Sequence, residues 1–228
     1  MIALIDGDIV AYRNAAVVGE DSVEFAYYGC EKVTQDIIDS VGTTEYQVFL
    51  TGSNNFRKQI NPEYKANRKD KPRPTHLQAC REYLIEEWNA VYLDEVEADD
   101  LLGIAADKCG DEHGYGTVIC SIDKDLLQIP GYHYNFVNRT FSTVSKIEGI
   151  RHFYKQMLIG DVADNIFGIA GIGPVKAGKL LDSIEDEISM QNLVCSLYND
   201  ADRFQMNADC LWIMREPDQQ WSDRFVTS

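Results

Sequence analysis

The chain has 228 residues, 45% of them hydrophobic, and a formal net charge of −16 at pH 7, which is enough apolar material for one α/β body with a real core. No run of 18 apolar residues occurs and the start, MIALIDGDIV, turns acidic at once, so neither a transmembrane helix nor a signal peptide is expected, and the protein reads as cytoplasmic with no membrane partner. So acidic a molecule repels polyanions at long range, and any phosphate-bearing partner has to be met by a local excess of positive charge.

IALID (2 to 6) is a short apolar run that predicts a buried parallel strand, followed by Asp6 and Asp8 at its end. YQVFL (46 to 50) predicts a second strand, after which the chain reads Thr51, Gly52, Ser53. Residues 57 to 73 carry seven Lys or Arg against Glu63 and Asp70, a local excess of +5. Pro62, Pro72 and Pro74 break this stretch, which predicts an exposed connection with little core of its own and a place for phosphate. Thr75 is placed to cap a helix whose apolar face is Leu77, Cys80, Leu84 and Trp88. AVYL (90 to 93) predicts a third strand, Glu97 to Cys109 a helix closed by Gly110, and TVICSI (117 to 122) a fourth strand. From Gly149 onward the pattern is all helical, interrupted at GIAGIG (168 to 173), and residues 185 to 228 show only weak amphipathic signals. Strands alternating with helices predict an α/β fold with a doubly wound, mainly parallel sheet.

Six cysteines stand far apart without a CxxC pair and read as reduced core thiols. The four histidines lack ligand spacing except for Cys109 with His113, a poor zinc candidate. Trp88, Trp212 and Trp221 read as packing residues.

Acidic residues gather at a few places: Asp6 and Asp8, then Glu97, Asp99 and Asp100, then Asp123 and Asp125, then Asp161 and Asp164. The first three groups follow strands, and in a parallel sheet the strand C-termini share the edge where ligands bind. Asp161 and Asp164, three apart, share a face if their segment is helical. Carboxylates crowded at one edge repel one another unless cations are present, and all-oxygen ligands suit Mg2+ or Mn2+ better than zinc. Capping and solvation account for any single pair, but four such groups at separate element ends point to a shared site. Two metals about 4 Å apart would suit phosphodiester hydrolysis.

In PEYKANRK, Lys65 and Arg68 are three apart, so one helical turn would aim both at the same phosphate, with Tyr64 beside them able to stack on a base. A solvated loop balancing the acidic body is the plainer alternative. GIAGIGPVKAGKL contains a GxG, but no strand is expected before it and the third glycine of a dinucleotide fingerprint is missing. It resembles a helix-hairpin-helix, in which Gly171 and Gly173 let the backbone approach a phosphate and Lys176 and Lys179 add charge, unless it is only a glycine-rich turn between packed helices.

Taken together, LIDGD (4 to 8), NFRKQINPEYKANRK (55 to 69), VEADD (96 to 100), SIDKD (121 to 125) and GDVADNIFGIAGIG (160 to 173) stand in the order found in the flap endonuclease superfamily. The chain resembles in particular bacteriophage 5′-3′ exonucleases and the 5′ nuclease domain of bacterial DNA polymerases, over residues 1 to about 182. The resemblance implies a PIN-like body over 1–148 with a helical arch at about 56–88, a helix-hairpin-helix over 149–182, and a helical tail over 183–228 packed on the body. It implies a 5′-3′ exonuclease or flap endonuclease leaving 5′-phosphates, a monomer acting on DNA with a 5′ end, flap or junction, and on RNA/DNA hybrids. If phage-encoded, it would work in the host cytoplasm. Asp6, Glu97, Asp99, Asp100, Asp123, Asp125, Asp161 and Asp164 match ligands of two or more Mg2+ or Mn2+ ions. Lys65 and Arg68 match basic residues at the scissile phosphate, with Arg57, Lys58, Tyr64, Lys69, Gly171, Gly173, Lys176 and Lys179 expected at DNA and a potassium ion at the hairpin. Many relatives carry an aspartate where Gly52 stands, which predicts weakened metal affinity, with Asp8 a candidate for partial compensation. A PIN-type ribonuclease and a non-catalytic structure-specific DNA-binding protein are the alternatives.

Overall fold

The computed structural model describes residues 1–69, 71–109 and 116–225; Asp70, Gly110 and His113 lie outside the described residues. The chain opens with β1 (Ile2–Asp6), α1 (Gly7–Val18), α2 (Val23–Val41) and β2 (Tyr46–Phe49). The basic stretch forms a short helix α3 (Arg57–Ile60) and a 3-10 turn at Ala66–Arg68. Then come α4 (Leu77–Trp88), α5 (Ala98–Cys109), β3 (Thr117–Cys120), β4 (Gly131–Asn135) and β5 (Thr140–Val144). The last part holds α6 (Lys146–Ile159), a two-stranded hairpin of β6 (Gly160–Asp161) and β7 (Ile166–Phe167), α7 (Pro174–Leu181), α8 (Glu187–Tyr198) and α9 (Ala201–Leu211).

The sheet runs β2-β1-β3-β4-β5, parallel except for β5. Side chains alternate across it. Ala3, Ile5, Val48, Val118 and Cys120 face a core shared with α1, α2 and α4, while Leu4, Phe49 and Ile119 face α5, Leu126 and Ile213. Helices on both faces make the sheet doubly wound, as expected from the alternating pattern. Pairing of Asp6 with Phe49 and of Ile5 with Cys120 brings the ends of β1, β2 and β3 level, so the loops after them leave from one edge. No helix among the described residues is long and apolar enough to cross a membrane.

A second core lies beside the sheet, built by Phe153, Met157 and Leu158 of α6 with Ala177, Met190, Val194, Phe204 and Trp212. Residues of the tail are therefore buried in a core shared with α6. Tyr64 belongs to this core and Ile60 packs against it, so the basic stretch, exposed at Lys58, Lys69, Lys71 and Arg73, is anchored in a core that its composition did not predict. Among the described residues of 56–88, α3 is four residues long, and Cys80, Leu84 and Trp88 seal α4 onto the sheet.

Several local expectations differ from the structure. AVYL meets the sheet through one residue pair, Phe49 with Val91, and Val91, Tyr92 and Leu93 are exposed. α4 is capped at His76, not Thr75, without a side-chain bond. β4 and β5 were not expected; β5 is exposed at four of its five residues and carries no apolar alternation to betray it. The region after Gly149 is not all helical, because Gly160 (φ +80°) ends α6 and turns the chain into the β6/β7 hairpin. All six cysteines are free, but Cys109 and Cys195 are exposed instead of in the core.

Candidate active site

The level ends of β1 and β3 join two acid-bearing segments through one hydroxyl. Ser121 Oγ donates to Asp6 Oδ2 (2.7 Å) and accepts from the Asp123 amide (3.0 Å). The other Asp6 oxygen accepts from Ile9 N (3.1 Å), so this residue caps α1 while pointing along the sheet edge. Asp123 Oδ1 in turn accepts from Asp125 N (2.9 Å). Burial, then Asp8 and Asp123, push the Asp6 carboxyl up to about 7. Asp99, in the first turn of α5, is raised well above the carboxylate range by burial and by the charges of Asp6, Asp123 and Glu97. Asp125 is raised to about 8 by burial and by Asp123, Asp161 and Asp164. Repulsion of this kind requires the acids of four distant stretches to share one neighbourhood.

Asp161 and Asp164 reach it from a turn and not from a helix: Asp161 Oδ1 accepts from the amides of Ala163 (2.7 Å) and Asp164 (3.3 Å). Among the described residues, no three acidic, His or Cys side chains stand arranged to hold an ion in this conformation. Glu97 and Asp164 are engaged by the protein's own cations. Lys65 Nζ bonds Glu97 Oε1 and lies 3.6 Å from Asp164 Oδ2, and Arg68 Nη2 is 2.6 Å from Asp164 Oδ1. Against a burial that would raise it, Lys65 and Arg57 draw Glu97 down to about 2. The donor set itself, carboxylate oxygens short of positive charge, fits hard divalent cations.

Lys65 and Arg68 do converge, but by a tighter route than a helical turn. Lys65 is left-handed (φ +55°) and leads into the 3-10 turn, whose segment is stitched to the 161–165 turn. Lys65 N donates to Asp164 O (3.0 Å), Arg68 Nε to Ala163 O (2.9 Å) and Asn67 Nδ2 to Val162 O (2.7 Å). Tyr64 is buried, with its hydroxyl within hydrogen-bond distance of Glu97 Oε2 (2.9 Å) and Asp164 Oδ2 (2.8 Å). A ring enclosed in this way has no face free to stack on a base, which corrects that expectation.

Two further expectations are corrected together. Arg57 is 2% exposed and Asp100 fully buried, joined by Nη1 to Oδ2 (2.5 Å) and Nη2 to Oδ1 (2.8 Å). The guanidinium expected at DNA and the carboxylate expected at a metal thus satisfy each other inside the protein. Asp8 is likewise tied to Arg81 and accepts from Thr51 N (2.9 Å), so it already has partners within the protein. At Gly52, a Cβ would come within 1.7 Å of Leu93 O, because the AVYL segment crosses directly over it.

Lys58, Lys69, Gly171, Gly173, Lys176 and Lys179 are exposed. Gly171 has φ +77°, and Gly173 precedes the first turn of α7, where Pro174 follows and no side chain caps the amides. Sequence reasoning missed Gln156, whose Nε2 donates to Asp125 Oδ1 (2.6 Å), and Arg81; a lone Gln or Arg on a helix has the pattern of any solvated residue.

The family described as "5'-3' exonuclease, N-terminal resolvase-like domain" matches residues 1–157. A 5'-3' exonuclease of Buchnera aphidicola subsp. Schizaphis graminum is 28% identical over 223 residues, covering 90% of this chain and 75% of that protein. Flap endonuclease Xni of Shewanella baltica is 32% identical over 155 residues, 63% of this chain and 58% of that protein. The zinc-bound T5 5'-exonuclease superposes with a TM-score of 0.68 at 18% identity, covering 92% of this chain and 88% of that one, which shows a common fold. With its family match running through the segments that bear Asp6, Asp99, Asp123 and Asp125, this chain belongs to the 5'-3' exonuclease family of the flap endonuclease superfamily.

Proposed function

We propose that the chain hydrolyses DNA phosphodiesters at or near 5′ ends, by exonucleolytic trimming and by cutting at flaps and single-strand to duplex junctions, leaving 5′-phosphates. The observation that supports it best is the shared acidic edge: Ser121 Oγ joins Asp6 to the Asp123 amide and Asp123 accepts from the Asp125 amide, while burial and the charges of Asp6, Asp123 and Glu97 raise Asp99, and burial with Asp123, Asp161 and Asp164 raises Asp125. Asp6, Glu97, Asp99 and Asp123, with Asp125, Asp161 and Asp164, would hold two Mg2+ or Mn2+ ions. Bound there, the ions supply an activated water and neutralise charge on the attacking and leaving oxygens.

The chain's own residues supply the rest. Lys65 and Arg68 can pass from Glu97 and Asp164 to a phosphate oxygen and offset the charge that builds there. Gly171, Gly173 and the open amides of α7 would grip the duplex backbone without reading sequence, with Lys176 and Lys179 alongside and a potassium ion at the hairpin. The 5′ strand would pass the exposed Lys58, Lys69, Lys71 and Arg73. We read the protein as a cytoplasmic monomer that also accepts RNA/DNA hybrids, with metal affinity lowered by the glycine at position 52.

Asp123→Ala or Asp99→Ala should abolish cleavage of end-labelled duplex and flap oligonucleotides across a magnesium series, yet leave binding of the same substrates within a few-fold. Wild-type turnover in either variant refutes the assignment, and product lengths report polarity in the same experiment.

A further inference from the structure

The end of α9 and the segment after it lie outside the part matched by the family, yet Cys210, Leu211, Trp212, Ile213 and Met214 are all less than a tenth exposed. Trp212 (φ −68°, ψ 129°) ends the helix and extends the chain. Buried backbone at a helix end and in the extended chain beyond it must find partners for its polar groups. Here the partners alternate along the chain between two sides of the acidic edge.

Cys210 O and Trp212 O accept from Arg57 Nε (2.8 Å) and Nη2 (2.6 Å), and Met214 N donates to Asp100 Oδ1 (3.1 Å). That pair adjoins Glu97: Arg57 Nη1 lies 3.4 Å from Glu97 Oε2, and Asp100 Oδ2 accepts from Glu97 N (3.4 Å). The intervening residues face the other way. Leu211 O accepts from Gln128 Nε2 (2.8 Å) and Ile213 N donates to Gln128 Oε1 (3.3 Å). Gln128 Nε2 also donates to Gln156 Oε1 (2.7 Å), and Gln156 Nε2 to Asp125 Oδ1 (2.6 Å). The segment is seated tightly on α5, since a Cβ at Gly103 would lie 2.2 Å from Met214 O.

We propose that residues 210–214 are a strap that positions the acids of both loops, Glu97 through Arg57 and Asp100, and Asp125 through Gln128 and Gln156. The role rests on the nuclease reading of those two acids. Gln128 and Gln156 are then positioning residues that orient an oxygen ligand, as partners of metal ligands commonly do.

The test is Mn2+ affinity of the full chain, read from the spectrum of free Mn2+, with melting temperature measured alongside. Gln156→Leu should weaken Mn2+ binding about 10-fold or more, and Gln128→Met, one residue further from the acid, about threefold. Because the two act in series, the double variant should match Gln156→Leu. A Gln128 that serves stability alone would lower the melting temperature and leave Mn2+ affinity unmoved, which overturns the strap, as do losses that simply add. If Gln128→Met does not fold, Gln128→Glu keeps size and the acceptor for Ile213 N while losing the donor, and the same outcomes apply. A wild-type chain that binds no Mn2+ sinks the nuclease reading and the strap with it, whereas wild-type binding with an indifferent Gln128 variant sinks the strap alone.

Discussion

At position 52 the missing carboxylate has a steric cause. Gly52 N donates to Val96 O (2.9 Å) and the Leu93 carbonyl sits where a side chain would start. Gly52→Asp is therefore expected to cost about 1–3 kcal/mol through overpacking and to leave Mn2+ affinity unimproved, as urea unfolding and Mn2+ titration would show; a stable variant with tighter Mn2+ would contradict this. Tyr64, Arg57 and Asp100 carry the same lesson. All three lie in the motifs that mark the family, but their side chains are spent on internal partners, and composition cannot separate a buried cation from an exposed one. Lys65 and Arg68 differ, because each ends on an acid of the shared edge and keeps part of its surface open.

Among the elements, those with a strong local cause were legible. The apolar stripe of α4 packs through Cys80, Leu84 and Trp88 as its spacing predicts, whereas the reciprocal capping box of Ser145 and Glu148 at the start of α6, though equally local, went unread. Those decided by neighbours were not. AVYL has strand composition, yet Asn89 in the left-handed region ends α4 just before it and the segment leaves the sheet after one pair. β4 carries His133, whose Nε2 donates to Ile129 O (2.8 Å) and whose pKa is lowered below its ordinary 6.5 by burial, with Arg215 adding to the effect. A depressed histidine contributes stability that is complete above about 6.5 and is lost as pH falls below it. His133→Gln should accordingly show a shallower loss of unfolding free energy between pH 7 and 5 than wild type, measured by denaturant titration at each pH. Parallel curves would show that His133 carries no such linkage.

For the whole molecule, a net charge of −16 leaves DNA binding to a few exposed cations set against a repulsive body. Lys176 and Lys179 on α7 are two of these. If both meet phosphates, replacing both by Ala should reduce the slope of log K against log salt by about 2, measured on a duplex with Ca2+ present to prevent cleavage. An unchanged slope would remove α7 from the DNA interface. The molecule is also less modular than its motifs suggest. Tyr64 packs in the second core, and Arg57 ties the basic stretch to the end of α9, so the nuclease body and the tail share one interior.

The sequence by itself determined the alternation that winds the sheet, the strands β1 and β3 that lead into Asp6 and Asp123, the helix with Asp99 in its first turn, and the family, because each depends on local patterns of apolar and acidic residues. Only the tertiary structure decided which charged groups neutralise one another. That outcome depends on distances between residues far apart in the chain, such as Arg57 with Asp100, at 43 positions' separation, and Gln128 with Leu211, at 83. Burial then sets whether each charge is free to meet a ligand, and no spacing along the sequence encodes burial of that kind.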